Sequence, residues 1–504
     1  MNDKLVEITG VIDGFMYTYI LVIMLVVAGV YFTLRTRGVQ IRFIKDMFTS
    51  LTEKKHNDGE KSISSFQAMM VSTASRVGTG NIAGVATAVA TGGPGAIFWM
   101  WAMAIIGSAT AFIESTLAQI WKVKKKDGGF LGGPAYYIEQ ALGKRWLGIV
   151  FAILLILCFA FGFNGLQAFN TSSSLAYYIP APDGTTAPMA AISVGIILAV
   201  LTAFVIFGGA HRISVITSVI VPIMALIYIL LSVFTVASNI GEMGAVFAFI
   251  FASAFDFQAI FGGFAGSCVM LGIKRGLFSN EAGMGSAPNA AATASVSHPV
   301  KQGLIQALSV YIDTLLICSC SAMMVMVFYV QDPDLATTLN GIPLIQMAVN
   351  NSVGSWGIHA ITFGIWAFAF SSIIGNYFYA EGNFLFITRN KTALFIFRLV
   401  CVVIVYIGAV NSFDLAWNLA DIFMGLMAIV NIIAILILGK WAFKALDDYT
   451  AQRKKGNDPV FVADGIEGMP KTECWHTKAS QLETVDGNPI KEFIEEAVAT
   501  ESDL

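Results

Sequence analysis

Within residues 72–84, Arg76, Thr79 and Asn81 alternate with Gly78, Gly80 and Gly84, inside a stretch long enough to cross a bilayer. Each glycine weakens a helix by about 1 kcal/mol relative to alanine. Backbone left unwound at bilayer depth is tolerated only where protein buries it or where it lines a cavity. A helix broken there offers free N–H groups at one half-helix end and free carbonyls at the other. Gly78, Thr79, Gly80 and Asn81 are therefore expected to hold an anionic group beside a cation, as half of a transport site. Glycine suits this because the ligand must approach the main chain closely.

A second interrupted stretch, 257–290, contains Gly262, Gly263, Gly266, Gly272 and Gly276. Counting about 10–15 residues inward from Asp256 at 1.5 Å per residue reaches mid-bilayer. That picks Gly266, Met270 and Gly272 as contacts. The plainer reading of such glycines is close helix packing, which leaves their polar neighbours unexplained. Arg76, Glu114, Asp313 and Glu381 also fall within or near apolar segments, where each needs a partner; Arg76 with Asp313 is the first expected pair. They read as a structural ion pair or gate, or as a proton relay. The run Arg275–Ser286 reads either as an inner gate or as a tight connector capped by Asn280 and Glu281.

The chain of 504 residues is 56% hydrophobic and 12% charged, with mean hydropathy +0.72. Soluble domains carry about 25% charged residues, so this is an all-α integral membrane protein. Eleven spans are expected, at roughly 16–34, 66–90, 95–121, 147–170, 189–209, 213–236, 257–290, 303–330, 355–385, 393–411 and 415–445, with 242–255 as a surface helix. Lys and Arg cluster after spans one, three, five, seven, nine and eleven, and are missing from the alternate loops. The positive-inside rule then puts the N-terminus outside and the C-terminus in the cytoplasm. The acidic N-terminus lacks a basic n-region, so the first run reads as a retained span. Six cysteines without CxxC pairing read as packing residues. No basic stripe suggests nucleic acid, and no HExxH, GxSxG or Walker motif suggests an enzyme.

With span one set aside, ten spans remain, and the first and sixth of these are glycine-broken. Five spans per half is odd, so the halves, 65–236 and 237–447, must enter the membrane from opposite sides. Residues 1–35 form the outer N-terminus and extra helix, and 36–64 a basic loop. Residues 448–504 form a polar tail that cannot bury a core, with an amphipathic piece near 489–499 and a regulatory docking role as one reading.

The motifs Val77–Gly84, Gly92–Trp101 and Arg275–Ser286 closely resemble those of the alanine/glycine:cation symporter family, sodium-coupled carriers of the amino acid–polyamine–organocation superfamily. The likeness runs from about residue 13 to 445. It implies a leucine-transporter-like fold: a 5+5 inverted repeat with discontinuous first and sixth core helices, plus one extra N-terminal helix. It implies sodium held by the carbonyls of Ala74, Val77 and Phe368 and the hydroxyls of Ser371 and Ser372, the plain alternative for the serines being interhelical hydrogen bonding. Gln167 falls where the family places a substrate-contacting glutamine; Asn164, one turn away, is its expected structural partner. Some alanine or glycine carriers align a tryptophan with Asn376, whereas asparagine leaves room and adds a donor and an acceptor. The implied activity is sodium-coupled symport of a small neutral amino acid by alternating access at the plasma membrane. Alanine, glycine, serine and glutamine are the candidates, with glutamine favoured. Proton coupling in the same fold is the alternative. No organic cofactor is implied.

Overall fold

The computed structural model describes residues 2–53, 63–125, 128–263, 267–411 and 414–475. Among them, nine uninterrupted helices are long and apolar enough to cross a membrane: Lys4–Arg35, Gly95–Ile120, Arg145–Ser173, Pro188–Ile206, Gly209–Ser238, Pro299–Gln331, Ser355–Ile387, Lys391–Val410 and Trp417–Lys454. Two interrupted spans complete the expected eleven. Span two runs as Ser65–Arg76 and Ala83–Gly92. Span seven runs as Cys268–Asn280 followed by a short helical turn at Pro288–Ala291. The expected surface helix is present at Met243–Ala254. Spans five, six and ten present exposed Phe204, Ile223, Leu226 and Phe395 on their outer sides, as lipid-facing helices do. The architecture is a leucine-transporter-like inverted repeat with one added N-terminal helix.

Close helix approach depends on small residues, as is general in membranes. A Cβ on Gly272 would lie 2.5 Å from the Ala96 carbonyl oxygen, and one on Gly375 2.6 Å from Ser75 N. Gly272 thus packs span seven against span three. It lies in continuous helix, contrary to its expected place in a break. Met270 sits on the same helix, about 14 Å along the axis from Ser279. Gly266 lies outside the described residues.

Span one begins well before residue 16, because Asp13 is neutralised within the protein. Lys274 of span seven reaches Asp13 at 2.5 Å and Asp421 of span eleven at 2.8 Å, with all three side chains at most 12% exposed. Its ammonium also lies 4.4 Å from the Tyr17 ring centre, and Tyr17 donates to the Asp421 carbonyl. This triad ties the added helix to the repeat.

At the opposite, basic end, helix continues to Lys454, past the expected start of the tail at Asp448. The following segment then folds back on the protein. Phe461 N–H donates to Ser297 O (2.9 Å) and Trp475 Nε1 donates to Gln119 O (2.7 Å). Lys301 bridges Glu53 and Asp458 at 2.9 and 2.8 Å. Beside them His298 accepts from Val300 N–H through Nδ1, and its Nε2 faces Asp448 at 3.2 Å. Burial holds this imidazole below the usual histidine range. The expected amphipathic piece at 489–499 lies outside the described residues.

Removing one partner of a buried ion pair costs about 3–5 kcal/mol. Lys274→Met is therefore expected to lower the melting temperature of the detergent-solubilised protein, and adding Asp421→Asn to recover part of that loss. Unchanged melting in the single variant would contradict a buried triad.

Candidate functional site

Span two starts on a reciprocal cap, with Gln67 N–H donating to Ser64 Oγ and Ser64 N–H to Gln67 Oε1. It stops at Arg76, since Gly78 is extended at φ −121° and ψ −162°; one tight turn, Thr79–Asn81, precedes the restart. Gly78 lies between spans four and nine. A Cβ there would sit 2.6 Å from Gln167 Nε2 and 2.8 Å from Ser372 Oγ. Thr79 N–H donates to Gln167 Oε1 at 2.9 Å, Gly78 N–H to Asn81 Oδ1 at 3.0 Å, and Asn170 Nδ2 to Thr79 Oγ1 at 2.7 Å. Gly78, Thr79, Asn81, Gln167 and Ser372 thus converge as expected. Gly80 lies against the Phe278 ring.

The second break lies later than glycine counting placed it. Span seven unwinds after Asn280: Glu281, Gly283 and Gly285 take φ of +57°, +88° and +82°. Two glycines suit this left-handed backbone, while Glu281 tolerates it at some strain. The run expected as an inner gate or connector is therefore the break itself. Glu281 stands at its centre, accepting from Ser75 Oγ at 3.0 Å and Ser286 Oγ at 2.6 Å. Arg275 belongs to the half-helix beyond, with its guanidinium 4.8 Å from the Trp417 ring centre. Phe278 stacks on Trp417 at 5.7 Å and meets Phe163 edge-on at 4.8 Å. These rings cover the site on the side away from the basic end. Towards the basic end, Ser295 N–H donates to Ile63 O at 2.9 Å, joining the chain before one break to the chain after the other.

Spans two and nine meet where a cation cradle was expected. Ser372 Oγ donates to Ser75 O at 2.8 Å, and Ser371 Oγ to Phe368 O at 3.0 Å. The Ala74 and Val77 carbonyls, at the end of the first half-helix, accept no hydrogen bond from the described residues. These carbonyls lie on a helix against which span nine packs through Ser372, and carbonyl and hydroxyl oxygens are donors of the kind a hard cation selects.

The buried charges pair differently from expectation. Arg76 does not bridge Asp313; its Nη1 donates to Gln306 Oε1 at 3.3 Å. Asp313 instead accepts from Asn81 Nδ2 (2.7 Å), Ser279 Oγ (2.6 Å) and Thr314 Oγ1 (2.8 Å). Glu114 accepts the Gly283 and Gly285 N–H groups at 3.3 and 3.1 Å and Asn431 Nδ2 at 2.8 Å, clamping the second break. Glu381 pairs with Arg398 at 3.2 Å. Arg76, Asp313, Glu281 and Glu114 are all buried.

Asn164 pairs with Asn376 rather than Gln167: Asn376 Nδ2 donates to Asn164 Oδ1 at 3.0 Å and Asn376 Oδ1 accepts from Ser75 Oγ at 2.6 Å. Sequence reasoning missed Ser75, Ser279 and Phe278. The two serines carried a signal, since each stands two or three residues from a glycine-rich break. Phe278 carried none.

Gly78→Ala must displace Gln167 and Ser372 from their backbone partners, and each net hydrogen bond is worth about 1 kcal/mol. Substrate binding to the solubilised protein is expected to weaken at least about tenfold, while Gly84→Ala, whose Cβ meets nothing within 4 Å, leaves it near wild type. Equal effects in the two variants would contradict this geometry.

The profile of the sodium:alanine symporter family matches residues 2–463. The chain is 46% identical to the amino-acid carrier protein AlsT of Bacillus subtilis, covering 93% of this chain and 97% of that one. It is 45% identical to the probable sodium/glutamine symporter GlnT of the same organism, over 96% and 99% of the two chains. The sodium/alanine symporter AgcS of Methanococcus maripaludis is 36% identical, over 86% and 94%. Among solved structures, MhsT in complex with L-phenylalanine superposes with a TM-score of 0.54 at 15% identity, covering 78% of this chain and 96% of that one, a likeness of fold. The two broken helices, the whole-length match and these relatives agree: the chain belongs to the sodium:alanine symporter family.

Proposed function

We propose that this membrane transporter carries a small neutral amino acid together with sodium, by alternating access. The supporting observation is the meeting of the Gly78 break with Gln167, Ser75, Ser279 and Ser372. The substrate carboxylate would take the N–H groups of Gly78, Thr79 and Gly80, replacing the amide oxygens of Asn81 and Gln167 that two of them now reach. Its ammonium would face the carboxyl side of Glu281 and Asp313. Sodium would sit between Ala74, Val77, Phe368, Ser371 and Ser372, ordering the first break and so raising substrate affinity. Linkage requires substrate to tighten sodium by the same factor. The Phe278–Trp417 cover and the Ile63–Ser295 join would open in alternation. In this reading the protein lies in the plasma membrane with its N-terminus outside and its basic end in the cytoplasm.

Sodium as the coupling ion is supported by the free carbonyls on the helix that Ser372 packs against; a proton relay would use Glu281, Glu114 or Asp313. Proteoliposome uptake separates the two. A sodium gradient at uniform pH is expected to drive accumulation, and Ser372→Ala to raise the sodium half-saturation by about tenfold, through the loss of one ligand to a charged group. Accumulation driven by a pH gradient without sodium would overturn sodium coupling.

Glutamine is the substrate favoured by Asn376, a buried amide where a tryptophan would narrow the pocket. Excess glutamine is expected to block alanine uptake in the wild type. In Asn376→Trp it should do so far less, with alanine uptake kept. Glutamine without effect on the wild type would reject this preference.

A further inference from the structure

At the basic end, a cleft of about 570 Å³ opens between the loop joining spans five and six, the hairpin after span three, and spans nine and ten. Its lining includes Lys124, Lys125, Arg389, Lys391 and Arg398, against the single carboxylate of Glu381. Arg398 is fixed in place, with Nη2 3.2 Å from Glu381 Oε1 and Nε donating to Tyr377 OH at 3.0 Å. Arg389 and Lys391 have no ion-pair partner among the described residues. Glu381 is engaged by Arg398, so Arg389 and Lys391 leave the cleft with positive charge that its one lining carboxylate does not offset.

Basic loops at this end follow from topology alone and need no ligand. The cleft differs from a solvated basic loop in two respects. It is a walled cavity of the size small ligands occupy, with Ile63, Leu385 and Leu394 in its walls. Adjacent in sequence to the lining residues Gly208 and Leu394, Phe207 and Phe395 meet edge-on at 5.5 Å, and both rings are exposed. The Arg398 guanidinium lies 5.9 Å from the Phe207 ring centre, so cationic and apolar contacts are continuous from inside to rim.

We propose that this cleft binds a phosphate-bearing anion, and specifically the headgroup of an anionic phospholipid whose acyl chains lie on Phe207 and Phe395. Arg389, Lys391 and Arg398 take the phosphate oxygens, Arg by paired N–H donors and Lys as a point charge. Basic pockets between membrane helices on the cytoplasmic side hold lipid headgroups in this way. A soluble phosphate would use the same cations but leave the aromatic rim without a role. Because the cleft is bounded by both the Gly208–His211 turn and Ile63, its occupant touches the chain that leads into the first break.

The test uses the full-length protein in phosphatidylcholine nanodiscs, titrated with phosphatidylglycerol and read by native mass spectrometry for retained lipid. Each basic residue near a membrane surface contributes about a factor of five. R389Q/K391Q is therefore expected to weaken retention about thirtyfold, while R35Q/R42Q, an equal charge change at the end of span one, leaves it unchanged. Melting temperatures of both variants check that each is folded. Equal weakening in the two variants would mean general surface attraction and would overturn the site. Displacement of the lipid by inorganic phosphate alone would overturn the lipid assignment in favour of a soluble anion. Both readouts are independent of the transported substrate.

Discussion

The backbone of a membrane protein has nowhere to find water, so each interruption of a spanning helix must be satisfied from within. Among the described residues there are two such interruptions, and a set of buried polar side chains serves each of them. Asn81 and Gln167 take the N–H groups freed at Gly78 and Thr79, while Glu114 takes those at Gly283 and Gly285. Ser75 and Ser279 connect the two breaks through Glu281 and Asp313. The inverted repeat, the small residues between helices and the rings over the site all hold these two segments together.

The polar core combines one arginine with three carboxyls: Arg76, Glu114, Glu281 and Asp313 are all buried within it. Were the carboxyls to ionise, an entering metal cation or the ammonium of an amino acid would offset part of their desolvation cost. On the proposed function the two cargoes would be interdependent. A cation at the end of the first half-helix would neutralise its carbonyl dipoles, and a carboxylate at the opposite half-helix end would take the freed N–H groups.

Much of this was legible in the residues. Span number followed from hydropathy and loop charge, and Gly78, Gln167 and Ser372 lie against one another. The seventh span shows why the rest was harder. Gly262, Gly263, Gly272 and Gly276 are more conspicuous than Gly283 and Gly285, yet Gly272 serves helix packing. Only the alternation of Asn280 and Glu281 with Gly283 and Gly285 repeats the pattern of Asn81 with Gly78 and Gly80. The Lys274 triad joins residues more than 100 positions apart, so pairing could not be read from spacing. The chain after Lys454 looked free because polar residues dominate it, yet Asp458, Phe461 and Trp475 are among the residues that anchor it.

The most direct measurement is hydrogen–deuterium exchange of the solubilised protein, with and without sodium plus amino acid, resolved to peptides covering 74–82 and 279–287. If the two breaks form one site, both peptides slow together when both cargoes are present, with smaller changes for either alone. Protection confined to one peptide, or absent from both while other regions respond, would contradict a shared site.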